Sequence, residues 1–507
     1  MLCTKFGNIL DYLEPDVDCQ MPTHPQSQLF WSQQEIQAAR ADQISALDVL
    51  SMTIQAECND VRNNAAAISS LPEEILAIIF EIGYGDLLVE KVQDRFEISV
   101  SHVSREWREV ALRTPRIWTK IRRVQYQKNL DSIAAYFQRS KAVALDLQIE
   151  IGQGHIGSHD DIIPFCRLFS PHCGRCRRLS VTSSSERDMI EMLECISSVA
   201  VPFLQNISLS LQGRVSDIIK SCRQIFRGGA PSLASIRLHG LALHCCLPPL
   251  GSITNLHLHG VDYRLLTKID GLRDALLTMT SLAHLVVEGE VVDDWTSDII
   301  IELPRLQSLL IRAQNDQDIA PQILGLLKAI SAPALEVLSL QNICDIDFEF
   351  EASIDPGALG QSKFPSLCSL TLRDVGLSRP HMSTIAQAFP NITHLTHSIH
   401  EIEEIVSLLT FLQDVDSHSG PRVKYWPHLH TLALPSATDD ETASIHEFVA
   451  WRHSVGHPIQ RLLLPLHVLS DTAVALERTD DLREFVQVEV YTDASSQHFP
   501  TWSPDEH

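Results

Sequence analysis

The sequence predicts an α/β chain: a helical segment near the N-terminus, then an irregular solenoid of parallel strands backed by helices. Three observations carry this. A capped helix opens at Ser70, a second apolar helical stripe ends before Pro115, and from Cys176 onward a short apolar pattern returns about twelve times at a mean period of about 28 residues.

The first helix opens Ser70-Leu71-Pro72-Glu73-Glu74-Ile75-Leu76. Ser70 is the expected N-cap, Pro72 fits the first turn and Glu73 completes a capping box. Its apolar residues, Ile75, Leu76, Ile78, Ile79, Phe80 and Ile82, are too many for one stripe, so the helix needs cover on nearly all sides. Val100, Val103, Trp107 and Val110 recur at helical spacing in a second helix, with Arg105, Glu106, Arg108 and Glu109 on its other faces. A piece of about fifty residues cannot bury this much apolar surface alone and needs a partner.

The later pattern is apolar-x-x-apolar-x-apolar, usually entered through Pro plus one residue. It begins at Cys176, Leu204, Leu233, Ile253, Leu282, Leu306, Leu335, Leu367, Ile392, Leu429, Ile459 and Leu482. The units ending in His397 and Gln487 are degenerate, and the last also reads as alternation through Val486, Val488 and Val490. Helix-like segments lie between units at Val215 to Phe226, Tyr263 to Met279, Pro321 to Ile330, Met382 to Phe389, Glu401 to Phe411 and Thr442 to Trp451. A strand followed by a helix in each unit gives a parallel sheet that buries its leucines against neighbouring units.

Alternation puts the residues between those leucines on the opposite face of the sheet. They include Ser235, Arg237, His239, Asn255, His257, His259, His284, Arg312, Arg373 and His394. That face is expected to be polar to basic and exposed, with Arg237, His239, His257, His259, Arg312 and Arg373 as candidate client-binding residues. The three arginines suit an acidic or phosphorylated client segment.

Lys and Arg number 40 against 64 Asp and Glu, a net charge of -24, which argues against nucleic acid or an anionic membrane as the main partner. No apolar run approaches the roughly 18 residues a membrane span needs. Met1 to Asp11 lacks the basic and apolar parts of a signal peptide, so a cytoplasmic or nuclear setting is expected. The 12 cysteines are scattered and fit a reduced state.

Phosphate-loop, nucleophile-elbow and zincin motifs are missing, so neither catalytic residues nor a cofactor is expected. Cys166 with His172, Cys173 and Cys176 has no second Cys pair at zinc spacing, and Cys176 starts a repeat unit, so these read as core. His244, Cys245 and Cys246 near His257 and His259 read likewise, and no metal site is expected.

Residues 1–35 are polar and irregular, a disordered tail, and 492–507 form a second tail. Residues 36–68 form an amphipathic helix in which Leu47, Ile54, Cys58, Val61, Ala65 and Ile68 recur at three, four and seven. This helix either folds back on the chain, the favoured reading, or pairs with another. Residues 69–121 make the helical segment and 122–491 the array.

The motif Leu-Pro-x-Glu-Ile-Leu-x-x-Ile-Phe, then Val-Ser-x-x-Trp-Arg-x-Val-Ala and Thr114-Pro115-Arg116-Ile117-Trp118, resembles an F-box of the kind common in fungal F-box proteins. The resemblance implies docking to the Skp adaptor of a cullin-type ubiquitin ligase. Leu71, Pro72, Ile75, Leu76, Ile79, Val100 and Trp107 match the motif positions that form or support the adaptor surface. The stretch Ile82 to Ser99 is longer than the family linker. The array resembles leucine-rich-repeat proteins, except that Leu241, Val261, Ile343 and Val375 stand where that family often has Asn or Cys. Together the resemblances imply a substrate-recognition subunit of a Skp-cullin-F-box ubiquitin ligase with an unknown protein client. The alternative is a leucine-rich-repeat scaffold that binds the adaptor or other proteins outside any ligase.

Overall fold

The computed structural model describes residues 33–492, apart from residue 66 and the segments 87–94, 125–128, 153–161, 213–222, 261–264, 294–298, 314–319, 344–362, 376–378, 399–401, 417–421 and 470–481. The chain divides into two units, Met1–Pro72 and Glu73–His507. The first holds helix α1 (Gln33–Ala65) and a 3-10 turn, Ala67–Ser70. No Gly or Pro interrupts α1, which starts three residues earlier than expected. Its described side chains are exposed, apart from half-buried Leu50. The expected tails lie outside the described residues, save for 33–35, which open α1, and Thr492.

The second unit opens with α2 (Glu73–Asp86). Ser70, expected as its N-cap, instead ends the 3-10 turn, and Pro72 precedes the helix rather than occupying its first turn. Glu73 and Glu74 place negative charge where the helix dipole favours it. The single second helix expected through Val110 is in fact two, α3 (Phe96–Ser101) and α4 (Arg105–Arg113). Ser104 makes the break: its backbone is extended and its Oγ accepts the Trp107 N–H at 3.1 Å, capping α4.

The strands are β1 (Lys120–Arg123), β2 (Leu145–Ile151), β3 (Cys176–Ser183), β4 (Asn206–Leu211), β5 (Ser235–His239), β6 (Asn255–His259), β7 (His284–Glu288), β8 (Ile301–Glu302) and β9 (Ser308–Arg312). Then come β10 (Ile330–Ser331), β11 (Val337–Ile343), β12 (Ser369–Val375), β13 (His394–Ser398), β14 (Val415–Asp416), β15 (Arg422–Val423), β16 (Thr431–Ala433), β17 (Arg461–Leu464) and β18 (Gln487–Val490). Fourteen of them form one sheet in strict chain order, with β8, β10, β14 and β15 pairing outside it. Every pairing within the large sheet is parallel.

All twelve expected apolar units are strands of this sheet, and β1 and β2 extend it beyond the expected start. Helices return the chain between strands, among them α5 (Asp131–Arg139), α6 (Ile163–Phe169), α7 (Glu186–Ser197), α8 (Ile269–Thr278), α9 (Ala320–Ala329), α10 (Arg379–Ala388), α11 (Ile402–Leu412) and α12 (Thr442–Ser454). The helix expected over Val215 to Phe226 falls largely outside the described residues, and Gln224 within it forms a bridge to Leu247 instead.

Register stacks the leucines into two apolar ladders. One runs from Ile121 through Ile207, Leu256 and Leu338 to Leu462, all nearly inaccessible. The other passes Leu209, Leu258, Leu340 and Leu372 and has polar ends, buried Arg123 and buried His397. Turns set the register: the N–H of Leu233, Leu306, Leu335 and Leu367 each bonds back three residues to a carbonyl, across a Pro at the second position. Leu241, Ile343 and Val375 are buried, so apolar contact holds the place where the related family has polar side chains.

Candidate functional site

Two surfaces stand out in the second unit. The first is α2 with its supports. Leu76 and Phe80 face inward, the Phe80 ring 5.1 Å from that of Trp107. Gly83 continues this inner stripe, and a Cβ there would meet the Phe96 ring at 2.8 Å. On the other side Ile75, Ile78, Ile79 and Ile82 are 43, 51, 40 and 59% exposed. Their spacing of three, four and seven makes a single continuous apolar stripe. Val103 and Leu112 are exposed as well.

The support beneath is built from α3, α4 and the Pro115–Trp118 turn. Val100, Val110, Ile117 and Trp118 are buried, and the Trp118 Nε1–H donates to the Ala111 carbonyl at 2.7 Å. The Tyr136 hydroxyl donates to buried Glu97, tying α3 to α5. Ion pairs from Arg113 to Glu73 (3.0 Å) and from Arg116 to Glu81 (3.3 Å) fasten α2 from its outer edge. Of the adaptor candidates in this unit, Ile75 and Ile79 are on the surface, Leu76 and Val100 are buried beneath it, and Trp107 is half-buried. Leu71 and Pro72, at the end of the first unit, are half-buried and exposed.

The second surface is the polar face of the sheet. Register aligns His239, His259, Glu288, Arg312, Gln341 and Arg373 as one row on consecutive strands from β5 to β12. Arg237 and His257 lie in the adjoining row. The Ser210 hydroxyl meets His239 at 3.0 Å, whose ring packs edge-on against that of His259 at 4.2 Å. Glu288 sits at the centre, with His259 Nε2 at 3.2 Å, His257 Nε2 at 3.5 Å and Arg312 Nη1 at 2.8 Å. Arg312 also donates twice to Gln341 Oε1, at 2.9 and 2.6 Å. Arg373 donates to the Tyr491 hydroxyl at 3.4 Å.

The expectation of an open basic face is therefore corrected in two respects. Glu288, Ser308, Leu310, Ser339 and Gln341 are buried, and Arg237, His239, His257, His259, Arg312 and Arg373 are half-buried. The Arg312 guanidinium is already engaged by Glu288 and Gln341, with 38% of its side chain exposed. Burial alone would raise the Glu288 carboxyl, but His257, Arg312 and His259 around it bring it down to about 2. Burial and the neighbouring His239 push His259 down to about 4. At neutral pH the row is thus a Glu288–Arg312 ion pair flanked by a neutral His259 imidazole.

Glu288, Gln341 and Tyr491 were not among the residues expected here. Glu288 and Gln341 hold the same alternating position as His259 and Arg312, a signal present in the sequence. The cysteines read as core are packed: Cys173 and Cys176 are buried, with their sulfurs toward the Phe169 and Arg178 carbonyls. His244 meets Thr267 Oγ1 at 3.1 Å, whereas His257 and His259 turn to Glu288. Among the described residues no group of three or more His, Cys, Asp or Glu is placed to hold a metal ion. Nor is any described helix long and apolar enough to cross a membrane. Comparison of the chain with protein-family models and with curated proteins finds no match.

Proposed function

We propose that this chain is a substrate-recognition subunit of a Skp-cullin-F-box ubiquitin ligase, with α2 to α4 docking the Skp adaptor and the polar face of the array holding a client protein. One observation carries the reading: the Ile75, Ile78, Ile79 and Ile82 stripe stays exposed although its helix is anchored through Leu76 and Phe80 on the other side. Four isoleucines in one stripe are surface that water disfavours and a partner groove would cover. The resemblance to F-box and leucine-rich-repeat proteins would give the client surface to the array that follows. In this reading the chain supplies no catalytic group. Other subunits transfer ubiquitin, and its contribution is proximity.

The test is co-purification with adaptor and cullin. Ile79→Glu with Ile82→Glu places charge in the C-terminal half of the stripe, and interface hot spots are worth about 2 to 4 kcal/mol. Adaptor capture should fall by roughly 30- to 1,000-fold by that measure, with the far-UV circular dichroism of the array unchanged. Capture at wild-type strength by the folded variant sinks the proposal. Adaptor bound without cullin favours the scaffold reading.

A further inference from the structure

Helix α1 is the largest element whose apolar residues lack cover. Over 33 residues it exposes Ile44, Leu47, Val49, Met52, Ile54 and Val61, in a unit that contributes no packed core of its own among the described residues. Ile44, Leu47, Ile54 and Val61 share one face, whereas Val49 and Met52 lie outside it; helices of ordinary composition gain most of their stability from packing one face, so the shared face needs an occupant.

The spacing indicates what kind. Leu47, Ile54, Val61 and, beyond the helix, Ile68 recur every seven residues, with Ile44, Ser51 and Cys58 three before each of the first three. This gives a two-row seam of heptad period in which large Leu47, Ile54 and Val61 alternate with small Ser51 and Cys58. A straight helix drifts about 20° per heptad against such a repeat, so the seam stays covered only against a helix that supercoils with it and shares its period. Beside the seam lie Gln43, Leu50 and Glu57 on one flank and Asp48, Gln55 and Arg62 on the other. In a parallel, in-register pair each residue of the first flank faces the residue five further on in the other helix. The pairs are then Gln43 with Asp48, Leu50 with Gln55 and Glu57 with Arg62. None is like-charged, and the last is opposite.

We propose that the occupant is a second copy of this chain, and that α1 forms a parallel, in-register, two-stranded coiled coil centred on Leu47, Ile54 and Val61. The seam meets its own sequence, with Cys58 facing Cys58 and Ile44 facing Ile44. The chain then carries its adaptor-docking and polar surfaces in duplicate, joined through the N-terminal helices.

Sedimentation equilibrium of the full chain tests this. The wild type should show twice the 56.7 kDa chain mass. Leu47→Glu with Ile54→Glu should return it to the single-chain mass with the circular dichroism of the sheet retained. To fix orientation, Ile44→Cys is placed in a Cys58→Ala background and mildly oxidised. A covalent dimer should form that Cys58→Ala alone does not give, because only the parallel register brings the two Ile44 positions together. A single-chain wild type overturns the proposal. So does a dimer that survives the double glutamate variant, or an Ile44→Cys chain that fails to cross-link, which would assign the face to another partner or to an antiparallel pair. None of these readings depends on adaptor capture, so this inference and the ligase proposal can fail separately.

Discussion

Gly240 shows how single residues hold the array together. It follows β5 with a φ of +67°, and a Cβ added there would lie 2.1 Å from the Leu211 carbonyl oxygen. Its N–H donates to the His259 carbonyl at 3.0 Å, which ties the end of β5 to β6. The position one past the same row is filled by Gly260 after β6, by Gly289 after β7, and within β11 and β12 by Asn342 and Asp374, all at positive φ. Asn and Asp are the side chains that tolerate this conformation best. The turn conformation thus repeats where a side-chain ladder does not. Gly240→Ala meets both obstacles at once. The left-handed backbone alone costs about 1 to 2 kcal/mol, and the contact with Leu211 adds to it, so urea denaturation should show a loss of at least about 2 kcal/mol. A variant that melts with the wild type would mean the turn relaxes freely. Arg452 is a second such residue. Fully buried, it donates to the carbonyls of Trp426, Leu429 and His457, closing a turn that apolar packing would leave unsatisfied.

At the scale of elements, the break between α3 and α4 is the instructive case. Val100, Trp107 and Val110 still turn inward across it, whereas Val103, beside the Ser104 turn, is left exposed. Ser104→Ala removes the oxygen that accepts the Trp107 N–H and should cost about 1 kcal/mol. Hydrogen exchange at the Trp107 amide should quicken, and unchanged protection would show that the cap is idle. Strand positions in the array were legible because the turn residues and the spacing of the leucines agree at most units. Strand β2 was not, since Leu145, Leu147, Ile149 and Ile151 alternate without the leading leucine or the Pro turn. Alternation also put His239, His257, His259, Arg312 and Arg373 on one face correctly. Their pairing around Glu288 was not legible, because it depends on register between strands 20 or more residues apart, which the intervening loops and turns decide. The exposed stripe of α2 follows from the same limit: six apolar residues are visible in sequence, but which of them turn inward, as Phe80 does toward Trp107, is a matter of tertiary packing.

For the whole molecule, a sheet in strict chain order means that each strand leans only on its two neighbours, so stability is close to a sum of local terms. A weak unit then governs how the array responds to acid. His397 in β13 stands in line with Leu340 and Leu372, only 4% exposed, and its Nδ1 has no hydrogen-bond partner. Burial pushes its pKa down to about 4. An unfolded histidine takes its proton near 6.5, so above that pH both states are neutral and the site adds no pH dependence. Below it the unfolded chain binds the extra proton, and stability falls as pH falls, by about 3 kcal/mol at pH 4 at about 1.4 kcal/mol per unit. Glu288 acts in a lower window. Its folded pKa of about 2 lies below the ordinary 4.5, so its contribution is full above 4.5 and is lost as pH drops through 2. Acid sensitivity between pH 6.5 and 4 therefore belongs largely to His259 and His397, and His397→Leu should remove the His397 share of it. The substitution also completes the apolar ladder, so stability at pH 7 should hold or rise while the difference between pH 7 and pH 5 shrinks by about 2 kcal/mol. Urea denaturation of both chains at the two pH values measures this. If the two profiles run parallel, His397 is not the group that titrates, and the acid response lies instead with His259, whose pKa burial and the neighbouring His239 also push down to about 4.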